Sequence, residues 1–436
     1  MILPKRFLQE ECENVEQSLK EALRHQYGGN KSADFFEETS YRLSIIANQI
    51  NKASDGDVKN LSEFSHQILG LSELIARIER SHLGEFSWPF TDEIMEIAEA
   101  TCCGVDGNDK DFGPPIFAIS AEGGLVYKIH REQEVIDLNC RRRIFNVVFP
   151  RTLKHHVLLH PILGHEIGHA ASSVPSMDYE LAEKVISEFE SNNLEDTNSL
   201  QQWLDIRSQE TGDGTELIDI DETLFAWNEE LLCDLFGLLV IGPSFLPAIK
   251  SLLSSIDPTD ISLGEEHPPN LSRYDLLYKA VDYLGWKSTS ESSNNKEVIS
   301  SFWGATTNDD VNIPKWAELV PREKVEIAVK NLQTILTPLG DSLYNRESVG
   351  NLDELINKIR AKIPPVIANL DEEGNPKLEE TDFRSILYAG WIVWNEVSQT
   401  PKQHNGMTFL EVNKLCDRGI LHAVATRKTI LKNRPK

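Results

Sequence analysis

The stretch that decides this chain is His160–Ala171, HPILGHEIGHAA, which contains His165, Glu166 and His169 in the order H-E-x-x-H. On a helix, positions i and i+4 lie on the same face, so the two imidazoles can bind one metal ion while Glu166 faces its open side. Pro161 suits a first helical turn, and the glycines and branched apolar residues around the histidines favour a buried helix. The stretch therefore predicts a helix that carries a zinc site and its general base. The alternative is a surface helix with two incidental histidines.

Length and charge limit the class of protein. The chain has 436 residues, of which 40% are hydrophobic and 26% charged, which is ordinary for a globular protein of two or three domains. Its 69 acidic and 43 basic residues give a net charge of -26. Such a surface repels phosphate backbones and anionic lipids, so we expect no nucleic-acid partner.

Hydropathy and cysteine spacing indicate the compartment. The first residues lack the apolar segment of a signal peptide, and no stretch has the ~18 uncharged apolar residues needed to cross a bilayer. The six cysteines show no C-x-x-C spacing, which favours reduced thiols over a disulfide framework or a cysteine-bound zinc. We therefore expect a cytoplasmic protein without membrane insertion.

Apolar periodicity predicts mostly helices around one small sheet. Three helices are predicted between residues 5 and 83, and a short one follows at 91–101. Short β-branched or aromatic runs predict four strands, at 116–120, 125–130, 134–139 and 144–149. After the H-E-x-x-H helix, helices are predicted at 177–191, 199–208, 223–241, 243–255, 268–284, 322–337, 352–363, 382–398 and 408–431.

A catalytic zinc site normally has three protein ligands and one open position, so a third ligand is needed. Glu230 and Asp234 stand at E-x-x-x-D spacing on an otherwise apolar helix. A carboxylate buried there is costly unless it meets a cation, which zinc would supply to Glu230. Asp234, one turn later, would accept a hydrogen bond from the ring N–H of a histidine ligand and fix its tautomer. The alternative is a pair of exposed acids on an amphipathic helix.

Three motifs together, HEIGH at 165–169, EELLCD at 229–234 and HPPNLSR at 267–273, resemble those of the M48-type (gluzincin) zinc metallopeptidases, which include the CAAX prenyl proteases and the HtpX-like proteases. The resemblance covers roughly residues 115–285. It implies that His165, His169 and Glu230 are the zinc ligands, with Glu166 as the base. It also implies that Asp234 hydrogen-bonds a histidine ligand without binding the zinc itself. Its last implication is that the catalytic residues His267 and Arg273 lie near the substrate and the developing oxyanion. The chain departs from the family pattern at Cys233, where a small residue such as alanine is usual, and in having no spanning helix.

These observations predict an α+β, mostly α-helical protein. A zincin-like catalytic core at 101–285, with the small sheet next to the H-E-x-x-H helix, would lie between helical regions at 1–100 and 286–436. The expected function is that of a zinc-dependent endopeptidase with one Zn²⁺ per chain, which hydrolyses a protein or peptide substrate with water activated by Glu166. The helical flanks leave open whether a regulatory protein partner controls it. The alternative function is a zinc-stabilised protein-interaction module without catalysis.

Overall fold

The computed structural model describes residues 5–24, 32–54, 56–81, 86–102, 113–124, 127–131, 142–189, 220–256, 267–286, 319–345, 352–367, 369–370, 376–377, 381–401 and 406–433. The chain forms two compact units, Met1–His155 and His156–Lys436. The described residues are mostly helical, with one three-stranded sheet and one short two-stranded sheet, which confirms the expected mixture of many helices and few strands. The zincin-like arrangement and the domain boundaries at 100 and 285 stay predictions.

The first unit combines helices with a three-stranded sheet. Its described elements are α1 (Lys5–Ala22), α2 (Ser32–Lys52), α3 (Val58–Ser81), α4 (Trp88–Cys102), β1 (Gly113–Glu122), β2 (Lys128–Arg131) and β3 (Arg142–Pro150). The apolar stripe of α1 is buried in one core with residues of α2, α3, β1 and β3, as its helical spacing predicts. The predicted strand at 134–139 lies outside the described residues.

The sheet has the order β1-β3-β2. β1 runs parallel to β3, with Ile116 opposite Ile144, whereas β2 is antiparallel to it, with Ile129 opposite Val147. Every residue of β3 after its first is buried. A central strand covered on both faces explains its nearly continuous run of apolar residues.

The second unit contains the H-E-x-x-H helix. Its described helices are a 3₁₀ turn (His160–Ile162), α5 (Leu163–Ser172), α6 (Pro175–Leu181), a π-helical turn (Ala182–Ile186), α7 (Ile220–Ile241), α8 (Phe245–Ile256), α9 (Asn270–Tyr283), α10 (Arg322–Leu336), a second 3₁₀ turn (Thr337–Ser342), α11 (Leu352–Arg360), α12 (Phe383–Gln399) and α13 (Phe409–Asn433). Two short strands, β4 (Asn369–Leu370) and β5 (Pro376–Lys377), pair antiparallel. The predicted helix at 199–208 lies outside the described residues.

The C-terminal part of the chain hydrogen-bonds the backbone just before α5 and at the end of α7. Trp391 on α12 donates from Nε1 to the carbonyl of Leu158, at 2.8 Å, and Asn413 on α13 accepts from the N–H of Leu158, at 3.2 Å. At the end of α7, Arg384 donates to the carbonyl of Val240, and the N–H of Tyr344 donates to that of Leu239. These bonds satisfy carbonyls that a helix end otherwise leaves without partners. Among the described residues, no helix has both the length and the apolar character needed to span a membrane.

Candidate metal centre

Three helices of the second unit bring the predicted site residues together. α5 carries His165, Glu166 and His169, and α7 carries Glu230 and Asp234. α9 carries Arg273 in its first turn, and His267 lies three residues before that helix begins. Helical periodicity places both histidines on the face of α5 that meets α7, because they are four residues apart.

Glycine allows the two ligand-bearing helices to pack closely. A Cβ atom added at Gly168 would lie 2.9 Å from the Cα of Cys233, and one added at Gly164 would lie 3.0 Å from the Cα of Gly237. Real Cβ contacts are longer, so any side chain at these positions would push α5 and α7 apart. The small residues are therefore what lets His165 and His169 reach Glu230.

His165, His169 and Glu230 form a largely buried group that could hold a metal ion, with donor atoms all within 4.8 Å of one another. The Nε2 atoms of the two histidines are 3.2 Å apart. His169 Nε2 lies 3.1 Å from Oε1 of Glu230, and His165 Nε2 lies 3.4 Å from Oε2. The lone pairs of the three residues therefore converge on one small volume.

Asp234 fixes the orientation of the first histidine. Its Oδ1 lies 2.9 Å from Nδ1 of His165, and Asp234 is fully buried. Burial alone would raise the pKa of Asp234, but the ion pair with Arg273 and the bond to His165 outweigh it and hold the pKa below its usual range. An ionised carboxylate only accepts hydrogen bonds, so Nδ1 of His165 donates. Nε2 is then left with a lone pair that faces the metal position.

Glu229 stands beside the second histidine. Its Oε1 lies 3.6 Å from Nδ1 of His169, on the side of the ring opposite the metal position. Glu229 is therefore placed to face the ring nitrogen of His169 that does not bind metal, as Asp234 does for His165. No motif in the sequence indicated this contact, although the position of Glu229 directly before Glu230 in a helix was a usable signal.

The two predicted residues near the substrate lie in different environments. His267 has 59% of its side chain exposed, and its Nε2 lies 3.7 Å from Oε1 of Glu230. Arg273 is 3% exposed and donates to both carboxylate oxygens of Asp234. His267 thus lies at the open side of the group, and Arg273 lies beneath it. The catalytic roles of both residues stay predictions.

The charges of the group are strongly coupled. Burial alone would raise the pKa of Glu230, but His165, His169 and Arg273 together lower it far below its usual range. Burial alone would lower the pKa of His165, but Glu230 and Asp234 outweigh it and raise the pKa, so a metal ion would replace a proton on Nε2 when it binds. Glu166, which is half-buried, has its pKa raised by burial. Glu230 is therefore ionised, and the carboxylate of Glu166 is a stronger base than that of an exposed glutamate.

One buried atom supports a metal at this position. Oε2 of Glu230 is buried and accepts no hydrogen bond from any residue that the structure describes. Nη1 of Arg273 lies 3.3 Å from this oxygen in an ion pair but donates no hydrogen bond to it, so a cation between the two imidazoles and Glu230 would supply the direct partner that the oxygen lacks. The neutral imidazoles and the carboxylate are also a donor set that binds divalent metals. The residues present therefore fit a metal ion.

Comparisons with known proteins add no family to this geometry. No protein-family model, no curated protein and no solved structure matches the chain. Its function is therefore inferred from the residues themselves.

Proposed function

We propose that this protein is a zinc-dependent endopeptidase of the gluzincin type. The observation that carries the proposal is the spacing of the donor atoms. Nε2 of His169 lies 3.2 Å from Nε2 of His165 and 3.1 Å from Oε1 of Glu230, and Nε2 of His165 lies 3.4 Å from the other carboxylate oxygen, Oε2. Two ligand atoms, each about 2.05 Å from a tetrahedral zinc, are about 3.3 Å apart. Calcium takes six to eight oxygen ligands at longer distances, so two imidazoles at this spacing favour zinc over calcium.

The group leaves one side open for a substrate. His169 has 29% of its side chain exposed, whereas His165 and Glu230 are nearly covered by protein. Three protein ligands with one open face are typical of catalytic zinc sites, whereas structural sites are closed by four. When bound there, zinc would polarise a water molecule and a peptide carbonyl.

Glu166 is the residue that would transfer the proton of the attacking water. It adjoins His165 on α5, and its raised pKa suits a group that first accepts a proton and then returns it to a leaving amine. Its carboxylate would accept the proton of the attacking water, and the resulting carboxylic acid would donate that proton to the amine as the peptide bond breaks. His267, on the exposed side, is placed to donate a hydrogen bond to the carbonyl oxygen.

Two measurements test this proposal. Metal analysis after dialysis should find about one zinc per chain in the wild type and much less in His165→Ala. Glu166→Gln should keep the zinc and the fold but lose peptide hydrolysis by several orders of magnitude, because it removes the base and no ligand.

The substrate can be left open in the second measurement. Wild type and Glu166→Gln are each incubated with a denatured cell proteome, and new amino termini are counted by mass spectrometry. Glu326→Gln, on the half-exposed surface of α10, is the matched control and should cleave like the wild type. An identical set of termini in wild type and Glu166→Gln would contradict the enzyme and leave the zinc-stabilised interaction module.

A further inference from the structure

Arg273 makes the most extensive contacts of any cation near the metal position among the described residues. Its Nε donates to Oδ2 of Asp234, and its Nη2 donates to Oδ1, both at 2.7 Å. Such a two-pronged pair has a fixed geometry as well as a favourable charge. The same Nη2 lies 3.3 Å from Nδ1 of His165, and both atoms donate to the same oxygen of Asp234.

The remaining nitrogen of the guanidinium, Nη1, faces Glu230. Nη1 of Arg273 lies 3.3 Å from Oε2 of Glu230, the oxygen that accepts no hydrogen bond from the described residues. Only 4% of the Arg273 side chain is exposed. One buried guanidinium therefore contacts a histidine ligand, the carboxylate ligand and Asp234.

Charge explains why such a contact is needed. Glu230 and Asp234 are carboxylates buried one turn apart on α7, and the guanidinium of Arg273 contacts both. Without a cation, two buried carboxylates would be costly, and one would take up a proton or turn towards solvent. Arg273 compensates part of that charge whether or not a metal is bound.

We infer that Arg273 is a positioning residue that keeps the metal-binding group assembled before the metal arrives, acting through Asp234 on His165 and directly on Glu230. This inference rests on the proposed metal site. It differs from the role that the family resemblance implies, a contact with the substrate oxyanion, because Nε and Nη2 already donate to Asp234 and Nη1 faces Glu230.

The sign of the effect on metal affinity separates positioning from simple charge. A buried positive charge near a dication repels it, so removal of Arg273 would strengthen zinc binding if charge alone mattered. If Arg273 positions the ligands, its removal weakens zinc binding, because Asp234 no longer holds the Nδ1–H form of His165. An oxyanion contact predicts a third result, a lower kcat with unchanged zinc affinity.

The experiment measures zinc affinity by competition with a chromophoric chelator in Arg273→Met, Arg273→Lys, Asp234→Asn and Asp234→Asn/Arg273→Met. We expect Arg273→Met to weaken zinc binding about 10–100-fold, as loss of a partner outside the ligand shell does. Arg273→Lys should recover part of this, because lysine keeps the charge without the two-pronged geometry. In the Asp234→Asn background, Arg273→Met should add less than about 3-fold, because its main partner is already altered.

Two further readouts exclude a merely structural effect. In metal-free protein labelled with ¹⁵N-histidine, the Nδ1–H proton of His165 should exchange slowly with solvent in the wild type and faster in Arg273→Met, because its hydrogen bond to Asp234 is no longer held in place. Arg42→Met is the matched control, because Arg42 is also a buried arginine paired with a carboxylate, Glu38, and it lies on α2 of the first unit, which carries none of the proposed ligands. It should lower stability and leave zinc affinity and exchange of the His165 Nδ1–H proton unchanged.

The outcomes separate this inference from the proposed function. A wild type that binds no zinc contradicts the metal site itself. A wild type that binds zinc, with Arg273→Met binding as tightly or more tightly, overturns only the role of Arg273. Should Arg273→Met fail to fold, Arg273→Lys decides: wild-type zinc affinity and unchanged exchange of the His165 Nδ1–H proton in that variant overturn the inference. Weakened zinc binding in a protein that hydrolyses no peptide supports the positioning role and counts against the peptidase.

Discussion

The helices α5 and α7 pack closely at Gly168, so the effect of a substitution there on stability and zinc binding can be worked out from the structure. Gly168→Ala adds one methyl group on the face of α5 that meets α7. That carbon would lie 2.9 Å from the Cα of Cys233, 3.0 Å from its Sγ and 3.1 Å from its Cβ. Ordinary contacts begin at 3.4 Å, so the two helices would have to separate locally by about 0.5 Å.

Two opposing terms set the change in stability. Alanine is favoured over glycine within a helix by about 0.8–1.0 kcal/mol. Overpacking in a well-packed core costs about 1–3 kcal/mol, and here the nearest atom belongs to backbone and cannot rotate away. We therefore expect a net loss of roughly 0–2 kcal/mol in the free energy of unfolding. The effect on metal is larger, because a site that tolerates about 0.2 Å in its ligand distances loses the convergence of the histidines on Glu230.

The assay for Gly168→Ala combines zinc competition with hydrogen exchange of peptides from α5 and α7, which follows the second unit by itself. We expect zinc affinity to fall about 10-fold or more and exchange to quicken in both helices. Gly123→Ala is the control, because nothing lies within 4 Å of its added carbon, and it should leave zinc affinity unchanged. Wild-type zinc affinity and exchange in Gly168→Ala would refute the argument that the absent side chain at this position sets the ligand spacing.

Three other expectations concern single residues. Glu230→Gln should lose zinc, whereas Glu229→Gln should retain it, because only Glu230 faces the Nε2 atoms; metal titration that empties the site in Glu229→Gln would reverse the assignment. Arg42→Met should lower the free energy of unfolding of the first unit by about 3–5 kcal/mol, because it leaves Glu38 buried without its ion pair, whereas Arg6→Met, in an exposed pair of the same i,i+4 spacing, should leave stability unchanged; equal effects in denaturant titrations would contradict this. Native protein at pH 8 should show no more than two fast-reacting thiols in a colorimetric thiol assay, against six after unfolding, because burial raises the pKa of buried thiols, that of Cys12 to about 11; a third fast thiol in the folded protein would count against it. The four buried thiols are Cys12, Cys102, Cys233 and Cys416.

Local patterns predicted the parts of the site that depend on helical periodicity. The spacing of His165 and His169 and the i,i+4 spacing of Glu230 and Asp234 each place two side chains on one helix face, and the structure brings these residues together. The bounds of α7 were predicted within a few residues, because its apolar run is long. Residues within one helix constrain each other directly, so a single sequence is informative about them.

Contacts between segments far apart in the sequence could not be predicted from local patterns. Arg273 is 39 residues from Asp234 in sequence, and no local pattern shows whether its side chain faces Asp234 or a substrate. The parallel pairing of β1 with β3 depends on the path of the chain between them, and strand propensity does not contain that information. The segment 177–191 reads as one helix by its periodicity, but the structure changes at Ala182–Ile186 to a π-helical turn, which packs near α10.

The C-terminal helices bear on the metal centre because they complete hydrogen bonds at the helices that carry it. The carbonyls of Leu239 and Val240 end α7, and their partners are the N–H of Tyr344 and the guanidinium of Arg384. Trp391 and Asn413 bond the backbone of Leu158, shortly before α5 begins. Buried backbone groups without partners are costly, so a chain cut before residue 319 would destabilise the ends of both ligand-bearing helices. Within the second unit, the geometry of the candidate zinc site therefore depends on residues 105–255 positions later in the sequence than the backbone groups they contact, and this C-terminal part of the chain helps to hold the candidate ligands in place.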